Sequence, residues 1–194
     1  MIDWMSVEIN DDHIAALRLF LQDGPIAWEQ LQQQEMATDE SAAPYMQMFQ
    51  AAFAVAVGRR FPSTYTIHEI VRYIAKLRIK RKEYSDDDFN PRVAENAIRT
   101  VLGDKSLSDD DKTDTIRDVT NLEHMVSAQT AILFDVLLAY ENSSAGWLEE
   151  FVRDTVELAR RWVRELQNAQ VGQDDGPRLP FAAHRSVPAN SSRR

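Results

Sequence analysis

The stretch from Val119 to Tyr140, VTNLEHMVSAQTAILFDVLLAY, decides the fold class. Within it Val119, Leu122, Met125, Val126, Ile132, Leu133, Val136, Leu137 and Tyr140 recur at intervals of three and four, the period of one helix face. A half-buried strand would instead alternate strictly. Phe134 and Leu138 make the second half apolar on every side, as suits a helix enclosed by others. The pattern predicts a long helix over about 111–141 at the centre of a bundle, with Ile132, Leu133 and Val136 fully buried.

Outward from that stretch the same period repeats, and the few glycines and prolines fall between the repeats. Asn90-Pro91 reads as an N-cap followed by proline at the first helical position, opening a short helix through Val93, Ala97, Ile98 and Leu102 that Gly103 closes. Before it, Thr66-Ile67-His68-Glu69 has the form of a capping box, and Ile67, Ile70, Val71, Ile74 and Leu77 form the expected buried stripe. Past Leu77 that helix becomes charged on nearly every side and is expected to leave the body of the protein. Upstream, Ser41 is the expected cap of a helix with Pro44 in its first turn, running through Tyr45, Met48, Phe49, Phe53 and Ala56. Weaker periodicity predicts a helix over 26–36, and Asn10-Asp11-Asp12 caps another carrying Ile14, Leu17 and Leu21. On the far side, a final helix begins near Ser143-Ser144, with Trp147, Phe151, Leu158, Trp162 and Leu166 on one face and Glu149/Arg153 and Glu157/Arg161 as pairs on the other.

These readings give an all-α fold, a single compact helical bundle of six or seven helices around a central long helix. The expected organisation is an N-terminal extension over 1–8, an all-α domain over 9–168 and a disordered tail over 171–194, where Gly, Pro, Ser, Asn and Arg dominate. At 194 residues the chain is long enough for one domain with a substantial core. It has no cysteine, hence no disulfide framework, no thiol nucleophile and no cysteine-ligated zinc. No apolar run reaches the ~20 residues of a membrane span, and the N-terminus lacks the pattern of a signal peptide, so a cytoplasmic protein without membrane association is expected.

The charge-bearing motifs bound the function. Lys and Arg number 22 against 31 Asp and Glu, a net charge of -9; four Arg against two Asp give the tail +2 and leave -11 on the body. Against that background stands a basic run of Arg72, Lys76, Arg78, Lys80, Arg81 and Lys82. Arg72, Lys76 and Lys80 fall at i, i+4 and i+8, where they could meet phosphates or an acidic partner, or simply face water. The acidic body argues against nucleic acid, and only Arg92 and Asn96 stand where the next helix could read bases. Trp28 is a candidate interface anchor, and Gln129, set inside the long apolar stripe, is a candidate buried polar group expected to bond a neighbouring helix backbone.

Chemistry-bearing signatures are missing. The sequence has no glycine-rich phosphate loop, no Gly-x-Ser-x-Gly elbow and no His-Glu-x-x-His, and the runs Asp86–Asp88 and Asp109–Asp111 lack the glycine and spacing of a calcium loop. No cofactor and no metal are expected. Three segments, INDDHIAALR over 9–18, AENAIRTVLG over 94–103, and Leu148-Glu149-Glu150-Phe151 leading into Leu158-Ala159-Arg160-Arg161-Trp162, resemble a group of short, uncharacterised all-α proteins of high-GC actinobacteria. The resemblance spans about residues 7–165 and implies a helical fold and a cytoplasmic location, with nothing catalytic. The leading expectation is therefore a non-enzymatic helical interaction or scaffold module, binding a protein partner of acidic character or a second copy of itself as a homodimer. One alternative is a DNA-binding transcription regulator using helices 66–82 and 90–102. A second is an enzyme whose site is assembled from separate helices.

Overall fold

The computed structural model describes residues 2–24, 38–82, 89–104, 107, 119–141 and 146–171. Among them are six α-helices and no strand: α1 (Asp11–Asp23), α2 (Asp39–Arg60), α3 (Ile67–Lys82), α4 (Pro91–Val101), α5 (Val119–Glu141) and α6 (Trp147–Val171). The expected helix over 26–36 with Trp28, both acidic runs, the start of the long helix before Val119 and the tail from 172 lie outside the described residues.

Local chemistry fixes most boundaries where the sequence put them. The Asn90 side chain accepts from the backbone N–H groups of Arg92 and Val93 at 3.0 and 3.3 Å, with Pro91 opening α4. At the other end Gly103, with φ of 70°, turns the chain so that Asp104 N–H bonds the carbonyl of Arg99 and Gly103 N–H that of Thr100, a Schellman closure. The start of α2 differs from expectation. Thr38 is the cap and Ser41 sits at the third helical position, each side-chain oxygen accepting the other's backbone N–H at 3.1 Å. Pro44 therefore lies inside the helix, where it removes one bond of the ladder.

The helix at the hub is α2, not the 119–141 helix. It packs against α1, α4, α5 and α6, and Ala51, Ala52, Phe53, Ala56 and Val57 have no exposed surface. Side-chain volume explains the difference. Bulky residues mark α5 as the most apolar helix, but the alanines of α2 let four neighbours approach from several sides. On α5, Ile132, Leu133 and Val136 are buried as expected, while Leu138 is 53% exposed, so that helix has a solvent face.

The residues ahead of α1 belong to the body. A single 3-10 turn over Trp4–Ser6 lies on α6, where Trp4 N–H donates to Gln170 Oε1 and Gln167 Nε2 donates to the carbonyls of Trp4 and Val7. Val7 and Ile9 are buried against the core. An apolar residue at alternate positions had no helical period to signal it. Ion pairs tie the remaining elements: Glu149 of α6 meets Arg18 of α1 at 2.7 Å rather than Arg153, which reaches Asp154 instead.

Candidate partner-binding face

The basic run occupies the last three turns of α3. Its first turn is fixed by the reciprocal bonds Thr66 N–H to Glu69 Oε2 at 2.7 Å and Glu69 N–H to Thr66 Oγ1 at 3.3 Å. Those bonds from Thr66 hold the Glu69 carboxyl below its ordinary range. Glu69 is the sole carboxylate of α3, and it is committed to the cap.

The inward face of α3 holds Ile70, Tyr73, Ile74 and Leu77, and its main neighbour is α4. Tyr73 replaces two residues of the expected stripe, because Ile67 and Val71 are 47% and 45% exposed. The Tyr73 ring stacks edge-on to Phe61, with the Arg60 guanidinium 5.1 Å from its centre. Burial, reinforced by the nearby Asp135 carboxylate, pushes the Tyr73 hydroxyl far above its ordinary range, so it stays protonated.

The six expected cations divide into two sets. Lys80 reaches Asp135 of α5 at 2.9 Å, and Arg81 turns inward with its guanidinium 5.7 Å from the Phe89 ring. Both help to hold α3 on the body, so the expected row Arg72, Lys76, Lys80 is broken at its third member. Arg72, Lys76, Arg78 and Lys82 remain exposed, and none of them makes an ion pair within 4.0 Å among the described residues.

Between those four cations runs an apolar row that includes Ile67 and Val71, both expected in the buried stripe. Ile67, Val71, Ala75 and Ile79 follow at i, i+4, i+8 and i+12, about 18 Å of helix, and Ile79 is 65% exposed. At about 100° per residue, Arg72 and Lys76, each following a row residue, lie on one side, and Arg78 and Lys82 on the other. The missed signal is the surplus of branched side chains, more than one buried stripe can hold.

Other candidates resolve as structure. Gln129 is 2% exposed, and its amide exchanges two bonds of 3.1 Å with the side chain of Gln50 on α2, not with backbone. The exchange uses one donor and one acceptor of each amide, and its burial keeps Gln129 out of reach of a ligand. A groove of about 350 Å³ between α1 and α6 has an apolar floor of Ile14, Val152 and Val156. Three of its four arginines are engaged: Arg18 is held by Glu149, Arg153 by Asp154, and Arg160 donates to the Ile9 carbonyl. Among the described residues no group of three or more His, Asp or Glu could hold a metal ion, and no helix is long and apolar enough to cross a membrane.

No protein family, curated protein or solved structure matches the chain.

Proposed function

We propose that the protein is a non-enzymatic, cytoplasmic interaction module that docks an acidic protein partner on the outward face of α3. The observation that carries this reading is the four exposed cations of α3, Arg72, Lys76, Arg78 and Lys82, beside a helix carboxylate spent on its own cap. On a chain of net charge -9 this is a concentrated positive patch, and electrostatic complementarity of this kind sets encounter rate and partner choice. A duplex, with one charge per about 1.7 Å, would extend past α3 onto the acidic body, whereas a partner that ends with the face avoids it. A second copy of the same face would set four cations against four, which disfavours a symmetric homodimer through α3.

The test places a photo-crosslinking residue at Ala75, in the middle of the face, and a control at Leu19, which is exposed on α1. Adducts in the native cell are expected at Ala75 alone, to an Asp/Glu-rich segment, and should disappear when Arg72, Lys76, Arg78 and Lys82 are all changed to Gln. Adducts to nucleic acid at Ala75 would put the transcription-regulator reading first, and equal yields at both positions would overturn the site.

A further inference from the structure

Charge alone would suit any acidic partner; the apolar row is more selective, and the step taken from it rests on the acidic-partner reading. We infer that the partner presents a helix to α3, amphipathic and flanked by carboxylates, its apolar ridge packed along Ile67, Val71, Ala75 and Ile79.

The geometry of the row carries this. Its members repeat every four residues, the spacing of the ridges by which helices interdigitate. Ala75 sits between the larger Val71 and Ile79, so the ridge has a notch at its middle, into which a side chain of a crossing helix fits as a knob into a hole. The face is a convex helix surface whose backbone donors and acceptors are bonded within the helix. An extended segment laid on it would find no backbone partner for the N–H and C=O groups it presses against the row, whereas a helical segment brings them already paired. Cations on both flanks then call for carboxylates on both flanks of the partner's ridge. A DNA duplex offers no apolar surface, so the row would gain nothing from it.

Burying the row also accounts for its exposure. Ile67, Val71 and Ile79 at 47%, 45% and 65% form a contiguous apolar strip on a helix whose other face is already packed. Strips of this kind, rimmed by charge, mark docking sites more often than scattered apolar residues do.

Two labelled 18-residue peptides of identical composition test the inference by fluorescence anisotropy at 50 and 150 mM salt. In the first, leucines follow a three-and-four spacing with glutamates on both flanks; in the second, the order is scrambled so that the leucines surround the axis. The first should bind, gain helical circular dichroism on mixing and weaken at higher salt, and the second should bind at least about tenfold more weakly. Val71→Ser with Ile79→Ser should reduce the first peptide to the level of the second while leaving the salt slope, and Arg72→Gln with Lys76→Gln should flatten that slope. Equal binding of both peptides would overturn the helical partner while leaving an acidic one standing. Binding of neither would overturn both readings, as would binding to phosphatidylserine vesicles with no binding of the first peptide.

Discussion

α2 and α3 are consecutive helices joined by a short turn, both rich in apolar residues, and they end in opposite situations. α2 is packed by four neighbours, with Phe53 and Val57 wholly enclosed, whereas α3 is held mainly by α4 and leaves Ile67, Val71 and Ile79 in solvent. The contrast teaches that the amount of apolar surface does not set a helix's place in this bundle. Its arrangement does. Alanine at 51, 52 and 56 lets other helices come close to α2 from several sides, and the branched residues of α3 form two separate strips, of which the body covers one.

The largest test of that contrast is truncation at the hub. Phe53 has no exposed surface on the helix that four others pack against, so Phe53→Ala should cost about 3–5 kcal/mol in urea unfolding. Leu133→Ala on α5 should cost about 2–5 kcal/mol by the same mechanism. A loss below 1 kcal/mol at Phe53 would mean that α2 is not the hub.

The polar contact inside that hub gives the next effect. Gln129→Ala leaves the Gln50 amide without its two bonds and should cost about 1–3 kcal/mol. Gln50→Leu together with Gln129→Leu removes donor and acceptor on both sides and should recover most of that loss, as a double-mutant cycle by thermal unfolding would show.

Much of this was legible in the sequence because helix period, caps and terminators are local. The capping box at Thr66 and Glu69, the Asn90 cap, the closure at Gly103 and the burial of Ile132, Leu133 and Val136 all follow from residues within a turn or two of each other. What was not legible depends on distant residues. Whether Ile67 faces core or solvent is decided by where α4 lies, the fate of Lys80 by Asp135 fifty-five positions away, and the hub by how closely alanines admit neighbours. Of the candidate face, the cations could be read from the chain, but their division into committed and exposed sets could not.

A smaller effect comes from the entry to α1, where pH replaces truncation. His13 Nδ1 accepts the Asn10 backbone N–H at 3.1 Å while the Asn10 side chain accepts the N–H groups of Asp12 and His13. Burial, with the His13 ring edge-on to Tyr45 at 4.6 Å, lowers the imidazole pKa, although Asp12 opposes the shift. The folded state therefore binds fewer protons than the unfolded one just below the ordinary histidine value of about 6.5. Stability is full above that pH and falls as pH drops through the window down to the lowered folded value. His13→Gln keeps an acceptor for the Asn10 N–H and cannot titrate. Its urea midpoint should lose less than that of the parent between pH 7.5 and pH 5.

The smallest expected effect falls on the outward row of α3, where it separates a docking strip from a misplaced core. If Val71 and Ile79 contributed to the fold, replacing both with Ser would remove buried methyl groups and cost several kcal/mol, as at Phe53. Their exposure, at 45% and 65%, says that the isolated protein gains little from them. Val71→Ser and Ile79→Ser should each change stability by no more than about 0.5 kcal/mol, part of it from helix propensity rather than contact. The same substitutions made in the presence of a bound partner should behave differently, because apolar surface that is free in the monomer is buried only in the complex. A strip that is silent in unfolding and decisive in binding belongs to an interface. If the double variant instead unfolds several kcal/mol more easily, α3 seats on the body through that row, and the difference between the two helices disappears.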